Sequence, residues 1–98
     1  MTVNSNKIQE ALGILQEECA EVIVEVSKIR RFGLDSVHYK TNLKHSTMLE
    51  IEVGDVLALV DILIDQGILN LNNLELYKTN KKEKLKQWST IFEDSNEN

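Results

Sequence analysis

The sequence predicts an all-α fold, a helical bundle of three main helices, and three observations carry that expectation. Proline is missing and only four of the 98 residues are glycine, so little in the chain interrupts a helix. Apolar residues recur at alternating steps of three and four, the spacing of one helical face. No stretch alternates apolar and polar residues for long enough to make a half-buried strand. There is no internal repeat, and residues 1–98 read as a single domain.

The first helix opens near Ser5 or Asn6, either of which can cap it, and runs to about Arg31, with Gly33 as its stop. Its apolar seam is Ile8, Leu12, Leu15, Cys19, Val22, Val26 and Ile29. From Gly33 to His45 the residues are polar and irregular. Ser46 or Thr47 caps a second helix that continues to Gln66 and stops at Gly67. After the connection ILNLNN, Asn72 or Asn73 opens a third helix to about Phe92, and the acidic tail 93–98 is expected to fray. A chain this short buries only about two-thirds of its unfolded surface. A homo-dimer or homo-tetramer that completes a four-helix-type core is therefore expected.

Composition narrows the function. A net charge of −5 and a pI near 5.0 disfavour a nucleic acid polymer as partner. Two Phe, two Tyr and one Trp are too few for an aromatic platform under single strands. The apolar run Val56 to Ile64 is broken by Asp61 and too short to span a membrane. The start MTVNSNKIQE is polar and does not read as a signal peptide. Cys19, the one cysteine, permits no internal disulfide, which fits a cytoplasmic location.

Carboxylates carry the chemistry. The first helix holds Glu17, Glu18, Glu21 and Glu25, and the second holds Glu52 and Asp55. Residues three apart on a helix point only ~60° from each other. Glu18 and Glu21 therefore share a face, as do Glu52 and Asp55. The neighbours of Glu52 and Asp55 on that face are Val56, Leu59, Ile62 and Leu63, whereas Glu50, Asp61 and Asp65 cluster opposite. Two carboxylates thus interrupt an apolar surface, where desolvation and mutual repulsion make them costly without cations. Glu18 and Glu25 border the seam of the first helix. Packing the two helices seam to seam brings four or five carboxylates together with no histidine among them.

An all-oxygen, multiply anionic set suits Mg²⁺, or Mn²⁺. Zinc prefers His and Cys, and a di-iron bundle adds a Glu-x-x-His pair that neither His38 nor His45 supplies. Plainer readings compete with each of these. Glu52 and Asp55 can pair with basic residues of the third helix, and Glu17, Glu21, Glu25 and Lys28 can form a solvated ladder. Lys28, Arg30 and Arg31 can simply complement the helix dipole. The lysines from Lys78 to Lys86 can be a solvated face, and Trp88 can be core.

With those residues placed, the chain resembles the MazG-like family of all-α nucleoside triphosphate pyrophosphohydrolases, in particular its small, phage-type members. The family signature E-E-x-x-E is matched by Glu17-Glu18-Cys19-Ala20-Glu21, and E-x-x-D by Glu52-Val53-Gly54-Asp55. The wider strings LQEECAEVIVEVSKIRRFG, LEIEVGDVLALVDIL and YKTNKKEKLKQW extend the likeness over residues 8–88. The resemblance implies Mg²⁺-dependent cleavage of a nucleoside or deoxynucleoside triphosphate to the monophosphate and pyrophosphate. It implies Glu18, Glu21, Glu52 and Asp55 as metal ligands, with Glu21 or Glu25 orienting the attacking water and accepting its proton. Lys28 and Arg31 would meet phosphoryl oxygens, and Lys78, Asn80 and Lys81 would contact substrate. The stretch between Glu21 and Glu52 is long for the family, which makes 32–47 an insertion that closes over substrate or meets another subunit. Two alternatives stand beside this reading: a non-enzymatic helical dimerisation module, and a related phosphoribosyl-ATP pyrophosphohydrolase of histidine biosynthesis.

Overall fold

The computed structural model describes residues 6–94; Ser5 and the end of the expected tail, 95–98, lie outside the described residues. The chain forms α1 (Asn6–Phe32), α2 (His45–Asp65) and α3 (Leu71–Trp88). Among the described residues there is no strand, only an isolated antiparallel bridge between Val37 and Lys44.

The ends of the helices follow from local chemistry. Gly33 closes α1 at φ 98°, donating its N–H to the carbonyl of Ile29 at 2.7 Å. Neither Ser46 nor Thr47 caps α2, whose cap position is Lys44, two residues before Ser46. The connection satisfies the first N–H groups instead: His45 donates to the Ser36 carbonyl at 2.9 Å and Ser46 to that of Leu34 at 3.1 Å. At the far end Gly67, at φ 78°, donates to Ile64, while Ile68 donates to Leu63, both at 2.9 Å. That pair of bonds is a Schellman motif, and its left-handed residue favours glycine. Asn70, rather than Asn72 or Asn73, caps α3, its Oδ1 accepting the Asn73 N–H at 2.9 Å. The helix stops at Trp88 because Ser89 turns to extended backbone at φ −145°, ψ 160°.

α1 and α2 pack antiparallel, in layers one heptad apart along each helix. Glu25 meets His45. One heptad on, Glu18 meets Glu52. A further heptad on, Ala11 packs with Leu59 and Leu63, surrounded by Leu12, Leu15, Ile68 and Leu69. The seam of α1 is therefore rotated from the expected one. Ile8, Ala11, Leu15, Glu18, Val22, Glu25 and Ile29 are buried or half-buried, while Cys19 and Val26 are exposed. A three-four repeat admits both seams. The opposing face of α2 decides between them, because it carries His45 and Glu52 in the layers that Glu25 and Glu18 fill.

α3 lies outside this hairpin and has no buried residue. The three helices are as expected, but a core that includes the third is not made within one chain. Trp88, whose place in the sequence suits either a core or stacking on a base, is 81% exposed and so is not core. The result is an open molecule of 53 × 40 × 15 Å. Its radius of gyration is 17.0 Å, against roughly 13 Å for a compact chain of about 100 residues. No helix among the described residues is long and apolar enough to cross a membrane.

Candidate metal centre

The middle layer of the hairpin is acidic. Glu18 from α1 and Glu52 and Asp55 from α2 bring one carboxylate oxygen each to within 4.8 Å of one another. All three side chains are half-buried, so water screens them only in part. Glu21, one turn from Glu18, is exposed beside them.

The crowding shows in the acidity of two members. The Glu18 carboxyl is held above its ordinary range, first by partial removal from water, then by a hydrogen bond shared with Asp55 and the charges of Asp55, Glu52 and Glu21. Glu52 is raised as well, again by desolvation first, then by the charges of Glu21, Asp55 and Glu25. Both shifts reflect partial desolvation first, and then negative charge gathered without a counter-charge. Among the described residues no basic side chain forms an ion pair with Glu18, Glu21, Glu52 or Asp55. The expected competitor, a salt bridge from the third helix, is not made. Lys78 instead bonds Glu75 at 2.9 Å and Lys86 bonds Glu83 at 3.0 Å, all on α3.

These residues fit a hard divalent cation. Oxygen ligands about 2.1 Å from Mg²⁺ stand roughly 3 Å apart when adjacent and 4 Å apart when opposite. The 4.8 Å spread is therefore within a small side-chain rotation of such a shell. Among the described residues this is the single group of three or more potential ligands, and it contains no nitrogen or sulfur donor.

The remaining candidates fall elsewhere. Glu25, placed by its sequence position at the border of the seam, is buried in the next layer, with its side chain 4% exposed. It lies 3.6 Å from the Nζ of Lys28 and 3.6 Å from the Nδ1 of His45, and its Oε1 has no hydrogen bond. Lys28 is half-buried at its side. Arg31 is exposed, with its guanidinium 5.0 Å over the ring of Phe32. Asn80 and Lys81 are exposed on α3 with Lys78, and Glu17 is exposed on α1. Sequence reasoning gave His45 no role, because it stands at the end of an irregular polar run. Its signal was the heptad that His45, Glu52 and Leu59 share.

Compared with protein-family models, curated proteins and solved structures, the chain matches none.

The raised carboxylates set the pH dependence of the metal-free fold. A group whose native pKa exceeds its unfolded value adds stability below the unfolded value, here 4.5, and loses it as pH rises through the native one. The melting temperature of wild type in EDTA should therefore fall, relative to that of a Glu18→Gln/Glu52→Gln variant, as pH rises above 4.5. A gap between the two proteins that stays constant across this range would remove the electrostatic account of the cluster.

Proposed function

We propose that this chain is a Mg²⁺-dependent nucleoside triphosphate pyrophosphohydrolase, with Glu18, Glu52 and Asp55 as metal ligands and Glu21 completing the set. The observation that carries the reading is the convergence of three half-buried carboxylates from two helices, with no basic partner among the described residues. The resemblance of the two acidic motifs to the MazG-like family supports it. Mn²⁺ can replace Mg²⁺ in an all-oxygen site.

Bound metal would supply charge neutralisation for the triphosphate and Lewis acidity at the reacting phosphoryl group. The chain's own residues do the rest. Glu21, exposed beside the cluster, would use a carboxylate oxygen not taken by metal to accept the proton of a water attacking in line at phosphorus. Glu25, enclosed between Lys28 and His45, serves better to hold the ends of the hairpin in register than to meet that water. Arg31, exposed with its guanidinium over the Phe32 ring, would turn from that contact to phosphoryl oxygens.

The same reading places the active form in an assembly, a homo-dimer or homo-tetramer. Ile23, Leu57 and Leu76 are 69%, 57% and 54% exposed in the single chain, and α3 has no covering layer. A second copy covering these faces would complete a four-helix-type core and bring Lys78, Asn80 and Lys81 to a neighbour's phosphates. The plainer reading, a dimerisation module without catalysis, draws on the same exposed faces but leaves the clustered carboxylates without a purpose.

The test is incubation of the pure protein with each common ribo- and deoxyribonucleoside triphosphate, and with phosphoribosyl-ATP, in the presence of Mg²⁺, with products separated by chromatography. Monophosphate and pyrophosphate that disappear on adding EDTA are the expected result. Turnover of phosphoribosyl-ATP alone would move the reading to the histidine-pathway enzyme. No turnover together with no Mg²⁺-dependent rise in melting temperature would leave the dimerisation module.

A further inference from the structure

The corner between α1 and α2 forms an open pocket of about 350 Å³, lined chiefly by Lys28, Phe32, Val37, His38, Tyr39 and His45. Its walls are unusually flat. Phe32 and His45 stack with centroids 6.2 Å apart and planes 26° apart, and His38 and Tyr39 stack at 5.2 Å and 16°. The connection is built to hold them there. His38 and Leu43 share a backbone hydrogen bond of 2.8 Å, His38 accepts from Asn42 at 2.9 Å, and Asn42 takes φ 61° to close the turn.

A second observation is polar. His45, 5% exposed, is part of the pocket wall, and its Nδ1 faces Oε1 of Glu25 at 3.6 Å, an ion-pair distance too long for a hydrogen bond, which leaves both atoms without one. Buried polar atoms left in this state are costly to the free protein. Polar atoms in an aromatic wall suit a flat ligand with hydrogen-bonding edges better than a purely apolar one.

Position completes the argument. Lys28 and His45 each stand one heptad from a member of the acidic cluster, Glu21 and Glu52, which is ~10 Å along the helix at 1.5 Å per residue. We infer that this cavity seats the base of the nucleotide whose phosphates lie at the carboxylates, the ring stacking on Tyr39 and Phe32 and its polar edge turned toward His45. The inference rests on the proposed phosphohydrolase reading for the phosphates, but the cavity's affinity for a flat heterocycle stands by itself. Lys28, in the pocket wall and 3.6 Å from Glu25, supplies a positive charge at the end of the pocket.

The experiment separates the two claims. Amide and side-chain NMR spectra are recorded with free nucleosides of each base, with no metal, and then with nucleoside triphosphates and Mg²⁺. Mn²⁺-induced broadening is read separately at Glu18 and Glu52. At least one base should shift the resonances of Tyr39, Phe32 and His45, whether or not a metal binds. Tyr39→Ala should weaken that binding ~10-fold or more, and Tyr39→Phe should restore it, because stacking needs the ring and not the hydroxyl. Tyr39 is 82% exposed, so its loss leaves the core intact. Turnover and Mn²⁺ broadening with no cavity shifts from any nucleoside or nucleoside triphosphate would overturn this inference and leave the phosphohydrolase reading standing. Cavity shifts without Mn²⁺ broadening or turnover would support the base site and overturn the phosphohydrolase reading.

Discussion

Replacing Glu52 by Gln is expected to cut Mg²⁺-dependent turnover by ~10²–10⁴-fold while raising the melting temperature of the metal-free protein. The two effects share one cause. Glu52 stands in a layer with Glu18 and Asp55, where desolvation and neighbouring charge already hold its carboxyl above the ordinary range. Gln keeps the shape and removes the repelling charge, so the apo hairpin is relieved. Loss of one anionic ligand weakens the hold on the cation, whose electrostatic contribution at phosphorus amounts to several kcal/mol. Opposite signs in stability and activity are the informative outcome. A surface carboxylate with no site role would change neither, and a structural salt-bridge partner would lower stability. Thermal melting with EDTA and with Mg²⁺, beside a pyrophosphate-release assay, reads both. Full activity in this variant, or in Asp55→Asn, would defeat the assignment of the cluster.

What the sequence disclosed here was periodic, and what it concealed was the choice between two faces of the same period. Three helices, the glycine stops at Gly33 and Gly67 and the shared face of Glu52 and Asp55 all follow from local rules. The inward face of α1 does not. Ile8, Leu15, Val22 and Ile29 belong equally to a seam completed by Leu12, Cys19 and Val26 and to one completed by Ala11, Glu18 and Glu25. The first is more apolar, so a single-chain reading prefers it. The second is adopted because helix faces are selected in pairs, and α2 brings His45 and Glu52 at matching heights. Reading the heptads of both helices together would have placed Glu18 in the seam and found His45.

The packing of the third helix was hidden for a different reason. Its helical character is local, capped by Asn70 and supported by the pairs Glu75–Lys78 and Glu83–Lys86. It has no buried residue against the hairpin, and nothing in the periodicity of one helix specifies which neighbour it packs on. The same holds for the rings of the connection. Phe32, His38 and Tyr39 meet because Gly33 and Asn42 reverse the chain, a geometry carried by positive φ rather than by composition.

Leu63→Ala should be the most damaging core substitution in the hairpin. Leu63, at 1% exposure, is the largest fully buried side chain among the described residues, and it packs in one small cluster with Ala11 and Leu59. Truncating a buried leucine costs about 2–5 kcal/mol through lost transfer energy and the cavity left behind. A domain of this size has a total stability of roughly 5–15 kcal/mol, and the buried cluster here is short. The variant should therefore melt at much lower temperature or fail to fold, at every protein concentration. Leu57→Ala provides the contrast, because Leu57 is 57% exposed in the single chain. In an isolated hairpin that change stays within about 0.5 kcal/mol, as for surface sites in general. In an assembly that covers Leu57 the loss grows and the melting temperature becomes dependent on concentration. Denaturant titration of both variants across a wide concentration range therefore reads two things at once. The Leu63 result tests where the core lies. The Leu57 result tests whether a second copy completes it, and a concentration-independent, near-neutral Leu57→Ala would confine the fold's stability to the single chain.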